Sequence, residues 1–445
     1  MNLIARVVCC ASVLLITGCA SGPTAGLLGA YRFEDGRIVS IRRSVDNTLR
    51  YRVYPTGESK RLHPEGDFRY VAGGFSSKDP LELRVAFDFD ETSLARRILF
   101  EPVTGPAETA VRIGRAEDVR FTSDAVEFVG RLDLPAGDGP YPAIVLVHGS
   151  GSDAATQFMY NGDFLAPHGI AVLTFDKRGT GRSGGDYTFD FHQLARDVVA
   201  AVNYLKTRRD IDGDRIGLSG YSQGGWVAPL AASVSPDVHF VLVSCGLVES
   251  PAEEARVETR NELRKRGVDE ASLSEVDELT LAAVAVIASG FKDGWDEFDS
   301  VKRRTDDASW RKKLSGTVIG DFVKYPKWLI KLLGKRRAPH GLPWYYDSNE
   351  VLRSLDIPMV WFIAGDDEMA PPELAIPALE TLIDAGKPYE LVVFDGTDHG
   401  MLMFQEDSDA RHYTGYDPEY SRREVQAARY FTGLAPGVNG VMSER

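Results

Sequence analysis

RIGLSGYSQGGW, residues Arg215 to Trp226, passes from an apolar run through a serine framed by glycines and back into apolar residues. Glycine inside regular structure costs about 0.5–1 kcal/mol relative to alanine, so glycines crowded around one serine mark a backbone forced into close quarters. A strand over 216–219 and a helix over 226–232 put Ser222 on the sharp turn between them, with Gly220 and Gly224 letting the two elements pass. The hydroxyl then stands above a sheet, beside a helix N-terminus. Ser222 is the first candidate nucleophile.

A second stretch of the same pattern, Gly181-Arg182-Ser183-Gly184-Gly185, has neither strand nor helix against it and reads as a turn. It also contains Gly179-x-Gly181-x-x-Gly184, but polar residues 176–178 separate it from the preceding apolar run. Asp197, the acidic residue at the right distance for a dinucleotide site, falls within a helical pattern. DIDGD, from Asp210, has its glycine at the fourth place and Tyr221 where a calcium loop needs glutamate, so it is a strand-entry turn.

Outward from the serine, unalternated apolar runs occur at AIVLVHG (143), IAVLTFDKRG (170), VHFVLVSCG (238), IPMVWFIAG (357) and YELVVFDG (389), with helical stretches between them. Strands of this kind are buried on both faces, which predicts a parallel sheet with right-handed crossovers and a site at its carboxyl ends. One crossover, 247–356, is far too long for a connection and predicts an inserted helical subdomain where a lid would sit. Within it, Ser272 with Glu275 reads as a capping box and Gly290 as a helix end. Upstream, 30–115 alternates with period two: Leu81, Leu83, Val85, Phe87 and Phe89 stand against Glu82, Arg84 and Asp88, the pattern of a small antiparallel β unit.

The chain has 445 residues, 43% of them hydrophobic and 26% charged, and a formal net charge of −14. That balance disfavours nucleic acid as a partner and favours small molecules. Residues 1–19 form an export signal: a short basic start, a run of about ten apolar residues too short to span a bilayer, then Ile16-Thr17-Gly18-Cys19. That ending resembles the lipobox of bacterial lipoproteins, which implies lipidation at Cys19 and anchorage in the cell envelope, with Ala20 after it pointing to the outer membrane, facing the periplasm. A plain cleaved signal is the alternative. Cys245 then stands alone, so no disulfide framework is expected and it reads as a small buried hydrophobe.

A serine hydroxyl needs a base, and the base needs orienting. Two of the eight histidines stand directly at the end of a core strand, His148 in VLVHGSG and His399 in FDGTDHG. Chain order of nucleophile, acid and histidine selects His399. AGDDEMAPP offers Asp366 and Asp367 as the acid, while Asp398 is poorly placed to turn back onto its neighbour. No histidine or cysteine cluster has metal-ligand spacing, and no cofactor is invoked.

HGSG, FDKRGTGRSGG, DVVAAVNYLKTR, RIGLSGYSQGGW and GTDHG together resemble the esterase branch of the α/β-hydrolase superfamily, over 119–445. The resemblance implies that fold, with 247–356 as a helical cap. It maps the acid, four residues before a proline, onto Asp367 before Pro371, although Ala364 stands where the family carries glycine. It also implies an oxyanion hole from the N–H groups of Gln223 and Ser150, with Gly151 as the other choice for the second donor, and a structural role for His148. The expected reaction is hydrolysis of a small-molecule carboxylic ester. Alternatives are a peptidase of the prolyl-oligopeptidase type, a thioesterase, and a binding protein that kept the fold. The residues upstream of the core are too few for a propeller, and coenzyme A is absent outside the cytoplasm. Within the insertion, FVKYPKWLIKLLGKRRAP (322–339) mixes apolar residues with a basic cluster. The first expectation is that Trp328 and the leucines pack on the hydrolase core; the other is a face turned to a lipid surface.

Overall fold

The computed structural model describes residues 24–44, 47–73, 80–317, 319–337, 340–407 and 410–435. Cys19 lies outside them. The alternating segment closes on itself: eight antiparallel strands run from β1 (Gly29–Phe33) through β2 (Ile38–Arg43) and β3 (Leu49–Tyr54) to β8 (Glu108–Arg112), and β8 pairs back onto β1. Closure removes the exposed edges that an open sheet of this size would leave. The barrel is filled by its inward residues, among them Tyr31, Tyr51, Val85, Ile98 and Phe100.

The second sheet has the order β16-β15-β14-β13-β11-β12-β10-β9. Its parallel part comprises β11 (Tyr141–Val147), β12 (Ala171–Phe175), β13 (Ile211–Tyr221), β14 (Val241–Ser244), β15 (Met359–Ala364) and β16 (Tyr389–Phe394), the six apolar runs of the sequence. β9 (Arg115–Ser123) and β10 (Val126–Leu134) extend it antiparallel beyond β12. Helices 191–206, 224–233 and 372–384 pack on one face and 418–431 on the other, so the central strands are fully buried.

Segment 247–356 is helical and has a core of its own, in which Trp295, Phe298, Trp310, Phe322 and Trp344 are buried. Two expectations for it are corrected. The helix Glu270–Ala288 starts before Ser272: Asp269 is its N-cap and accepts from the Ser272 N–H at 3.0 Å, while Glu275 accepts from Trp310 Nε1. Aspartate is as good a cap as serine, and it stands one turn earlier. Trp328 does not pack on the core either; it is 67% exposed. The helix Lys327–Arg337 buries the face carrying Ile330, and Trp328 is not on that face.

The barrel docks through buried charge. Arg42 on β2 grips Asp163 bidentately, both contacts 2.7 Å, and Asp133 stands 3.6 Å from the same guanidinium. Removing one partner of such a pair leaves an uncompensated buried charge, at a cost of about 3–5 kcal/mol. Nearby, Arg52 of β3 is sandwiched between the rings of Tyr160 and Tyr416.

Candidate active site

The carboxyl ends of five strands converge on one place: β11 leads into His148–Gly151, β13 into Ser222, β14 into Cys245, β15 into Asp367 and β16 toward His399. The serine turn is held by crowding. Ser222 has φ of 52°, a left-handed conformation unusual for a residue with a Cβ, and its N–H donates to the Ser244 carbonyl at 3.0 Å. A Cβ on Gly224 would lie 2.3 Å from the Val147 carbonyl oxygen, and one on Gly220 2.4 Å from that of Gly224. The glycines therefore permit a strand-to-helix contact closer than alanine allows.

Asp367, buried, faces His399: its carboxylate oxygens lie 2.9 and 3.1 Å from Nδ1. The carboxylate is itself fixed by the N–H groups of Met369 (2.9 Å) and Ala370 (2.8 Å). Burial alone would depress the imidazole, but the attraction and hydrogen bond of Asp367, with Asp398 behind, carry its pKa above the ordinary 6.5. Of the other acids, Asp366 turns away and accepts from the Gly396 N–H. Asp398 accepts from the N–H groups of His399 (2.7 Å) and Glu368 (3.1 Å), tying the two loops together. It does not reach the imidazole.

The N–H groups of Gln223 and Ser150 have no protein acceptor among the described residues. The Gly149–Ser150 loop is held by its carbonyls: Lys177 Nζ donates to Gly149 O at 2.9 Å and the Tyr187 hydroxyl donates to Ser150 O. Burial pushes the Lys177 ammonium down to about 7. Burial and the neighbouring Lys177 push His148 down to about 3, so it is neutral across the ordinary range, and its Nδ1 lies 3.1 Å from Gly149 O. Ser183 is spent in its turn, with Oγ donating to the Asp176 carbonyl and accepting from the Val129 N–H.

Several residues here escaped the sequence reading. Tyr221, adjacent to Ser222, sends its hydroxyl into a buried cluster with Glu424, Asn161 and Tyr420, and Tyr420 in turn meets Ser244 Oγ at 3.0 Å. Glu424 lies 202 positions after Ser222, on the last helix, where no local pattern announces it. Cys245 is buried as expected, yet it is more than filler: Sγ accepts from the Gly400 N–H at 3.1 Å and so supports the His399 loop. Burial and the Asp367 charge push its thiol up. The ligating atoms of Cys245, Asp367 and His399 lie within 4.8 Å of one another. With Nδ1 engaged by Asp367 and the thiol kept protonated, that trio is suited to holding an imidazole rather than an ion. From the cap helix Pro251–Lys265, Glu254 comes within range of Asp367. Burial, with Glu258 and Asp367 nearby, pushes its carboxyl well up.

Residues 144–411 match the model of the alpha/beta hydrolase family. The chain belongs to that family. A thiohydrolase of Aspergillus aculeatus is 32% identical over 143 residues, 32% of this chain and 44% of its own length. The esterase EstD of Thermotoga maritima is 32% identical over 123 residues, 26% of this chain and 29% of its own. The hydrolase thus matches less than half the length of either relative. Among solved structures, an acylaminoacyl peptidase of Pyrococcus horikoshii aligns over 95% of this chain and 59% of its own, at 14% identity and a TM-score of 0.43.

Proposed function

We propose that this hydrolase cleaves carboxylic esters through an acyl-enzyme on Ser222. The observation that carries the reading is the Asp367–His399 contact at 2.9 Å, at the same sheet edge as a serine held at a φ of 52°. In this mechanism His399 Nε2 takes the Ser222 proton as Oγ adds to the ester carbonyl. Asp367 keeps Nδ1 protonated and stabilises the imidazolium. The oxyanion of the tetrahedral intermediate accepts from the Gln223 and Ser150 N–H groups, whose directions are set by the helix start and by the Lys177 and Tyr187 contacts to the loop. Collapse expels the alcohol with the proton from His399. Water, deprotonated by the same imidazole, then releases the acid and restores Ser222.

Ester and thioester are the substrates to separate, since both an esterase and thiohydrolases stand among the similar proteins. A panel of chromogenic esters of increasing acyl length, run beside matched thioesters and aminoacyl anilides, tests the reading. Esters should turn over and anilides should not, and Ser222→Ala should remove all turnover with the fold intact. Turnover of anilides above esters would replace the reading with a peptidase. We further propose that the chain is lipid-anchored through Cys19 in the bacterial envelope, on the strength of the Ile16–Cys19 sequence. Fatty-acid labelling that is lost in Cys19→Ser is the expected result; labelling that persists in the variant contradicts it.

A further inference from the structure

One helix of the cap, and a residue just before it, turn large side chains outward. Trp328 is 67% exposed, Leu332 59% and Tyr325 39%. Trp328 and Leu332 are four residues apart on the helix Lys327–Arg337, which puts them on one stripe, with Tyr325 just before it. The opposite face has no room for them: Ile330 is buried and Gly334 abuts the Phe291 ring, which a Cβ there would approach to 2.5 Å. Phe322, Val323 and Trp295 already fill the cap core beneath. These exposed side chains are therefore surplus to folding.

Cations flank the stripe. Lys324, Lys327 and Lys331 are exposed; the Lys327 and Lys331 ammonium groups lie 4.8 and 5.3 Å from the Trp295 ring centroid, and Lys327 lies 3.5 Å from Asp299. In a protein of net charge −14 this strip is a local exception. Tryptophan and tyrosine favour the boundary between acyl chains and headgroups, lysine stems lie along apolar surface with their ammonium groups in water, and such a combination matches an anionic lipid surface on both counts.

We propose that this helix seats the cap on an anionic bilayer, with Trp328, Leu332 and Tyr325 at the headgroup boundary and Lys324, Lys327 and Lys331 on the lipid phosphates. Past the helix the chain returns to His340, whose carbonyl accepts from the Phe189 N–H at 2.8 Å and the Thr188 hydroxyl at 3.1 Å. Tyr187, next along, holds the Ser150 carbonyl. The docked face is thus joined by a short segment to the loop beside the reacting serine, and the bilayer lies on the cap side of the site. The proposal is independent of which acyl bond is cleaved.

The full chain supplies its own probe. Of six tryptophans, Trp226, Trp295, Trp310, Trp344 and Trp361 are each at most 6% exposed, so a quencher confined to lipid reaches Trp328 alone. The protein is mixed at low salt with phosphatidylcholine vesicles, with or without phosphatidylglycerol, whose acyl chains are brominated, and vesicle-bound protein is measured by sedimentation in the same samples. Emission should be quenched on the anionic vesicles, and the quenching should vanish in Trp328→Phe. In Lys324→Gln/Lys327→Gln/Lys331→Gln it should need at least about fivefold more lipid. Turnover of a short water-soluble ester should be unchanged in both variants. Vesicle-bound protein with unquenched Trp328 overturns the proposal, whatever holds the protein there. So does quenching of equal strength on neutral and anionic vesicles. Protection of Trp328 from aqueous iodide without lipid would assign the stripe to a second protein surface and equally overturn it.

Discussion

Ser222 and the Asp367–His399 pair are held in place by different physics. Ser222 is placed by backbone crowding: strand β13 and the helix behind it pass so closely at Gly220 and Gly224 that the turn between them has one shape. Asp367 and His399 sit on loops and are placed by hydrogen bonds, from the Met369 and Ala370 N–H groups to the Asp367 carboxylate, from the His399 N–H to Asp398, and from the Gly400 N–H to the Cys245 sulfur. Crowding is insensitive to charge, whereas a hydrogen-bonded loop answers to every group that donates or accepts in it. The two halves of the site should therefore fail in different ways when disturbed.

The sharpest contrast lies between two adjacent acids. Asp367→Asn keeps the shape but turns the donor and acceptor around at Nδ1, favouring the wrong imidazole tautomer, and should lower kcat by about 10⁴-fold. Asp366→Asn, at a side chain that accepts from the Gly396 N–H, should stay within about tenfold of wild type. Steady-state kinetics on a soluble ester measure both, and equal losses would merge the roles kept apart here.

On the crowded side, Gly224→Ala must displace either Val147 or the helix start. A shift of that size in the nucleophile should cost about 10²-fold in kcat with no change in the pH midpoint. A moved midpoint would mean that the elbow and the base are coupled more tightly than their separate supports imply.

The pH profile is the gentlest disturbance. His399 must be neutral to act as base, and its pKa is raised above 6.5, so kcat/KM should fall about tenfold per pH unit below a midpoint higher than 6.5. In Asp367→Asn the midpoint should drop, because the carboxylate charge that raised it is gone. A midpoint unaffected by that substitution would assign the shift elsewhere.

The same division explains what was legible in the sequence. A strand-to-helix turn around a serine is a local pattern of glycines and apolar residues, so RIGLSGYSQGGW put Ser222 on that turn without help, and the six parallel strands were readable as apolar runs, although the last, Tyr389–Phe394, is only partly buried. The choice between Asp366 and Asp367 was open from the residues themselves, because it depends on which way two neighbouring side chains turn in a loop, and that is decided by N–H groups two and three residues on. Barrel closure was equally hidden: alternation announces half-buried strands, but the pairing of β1 with β8 joins Tyr31 to Arg112 across the whole domain. The Tyr221–Glu424 contact spans most of the hydrolase core and leaves no trace in either neighbourhood. Trp328 shows the reverse case, in which hydrophobic periodicity was visible but its orientation was set by Gly334 and Phe291.

The central claim is that Ser222, made nucleophilic by the Asp367–His399 pair, forms the covalent intermediate. A fluorophosphonate added to the full chain, followed by peptide mass spectrometry, tests it most directly. The adduct should map to Ser222 alone, form fast in wild type and in Ser183→Ala, and form at least about 10³-fold more slowly in His399→Ala. An adduct on Ser183, or labelling of Ser222 at the same rate without His399, would contradict the account.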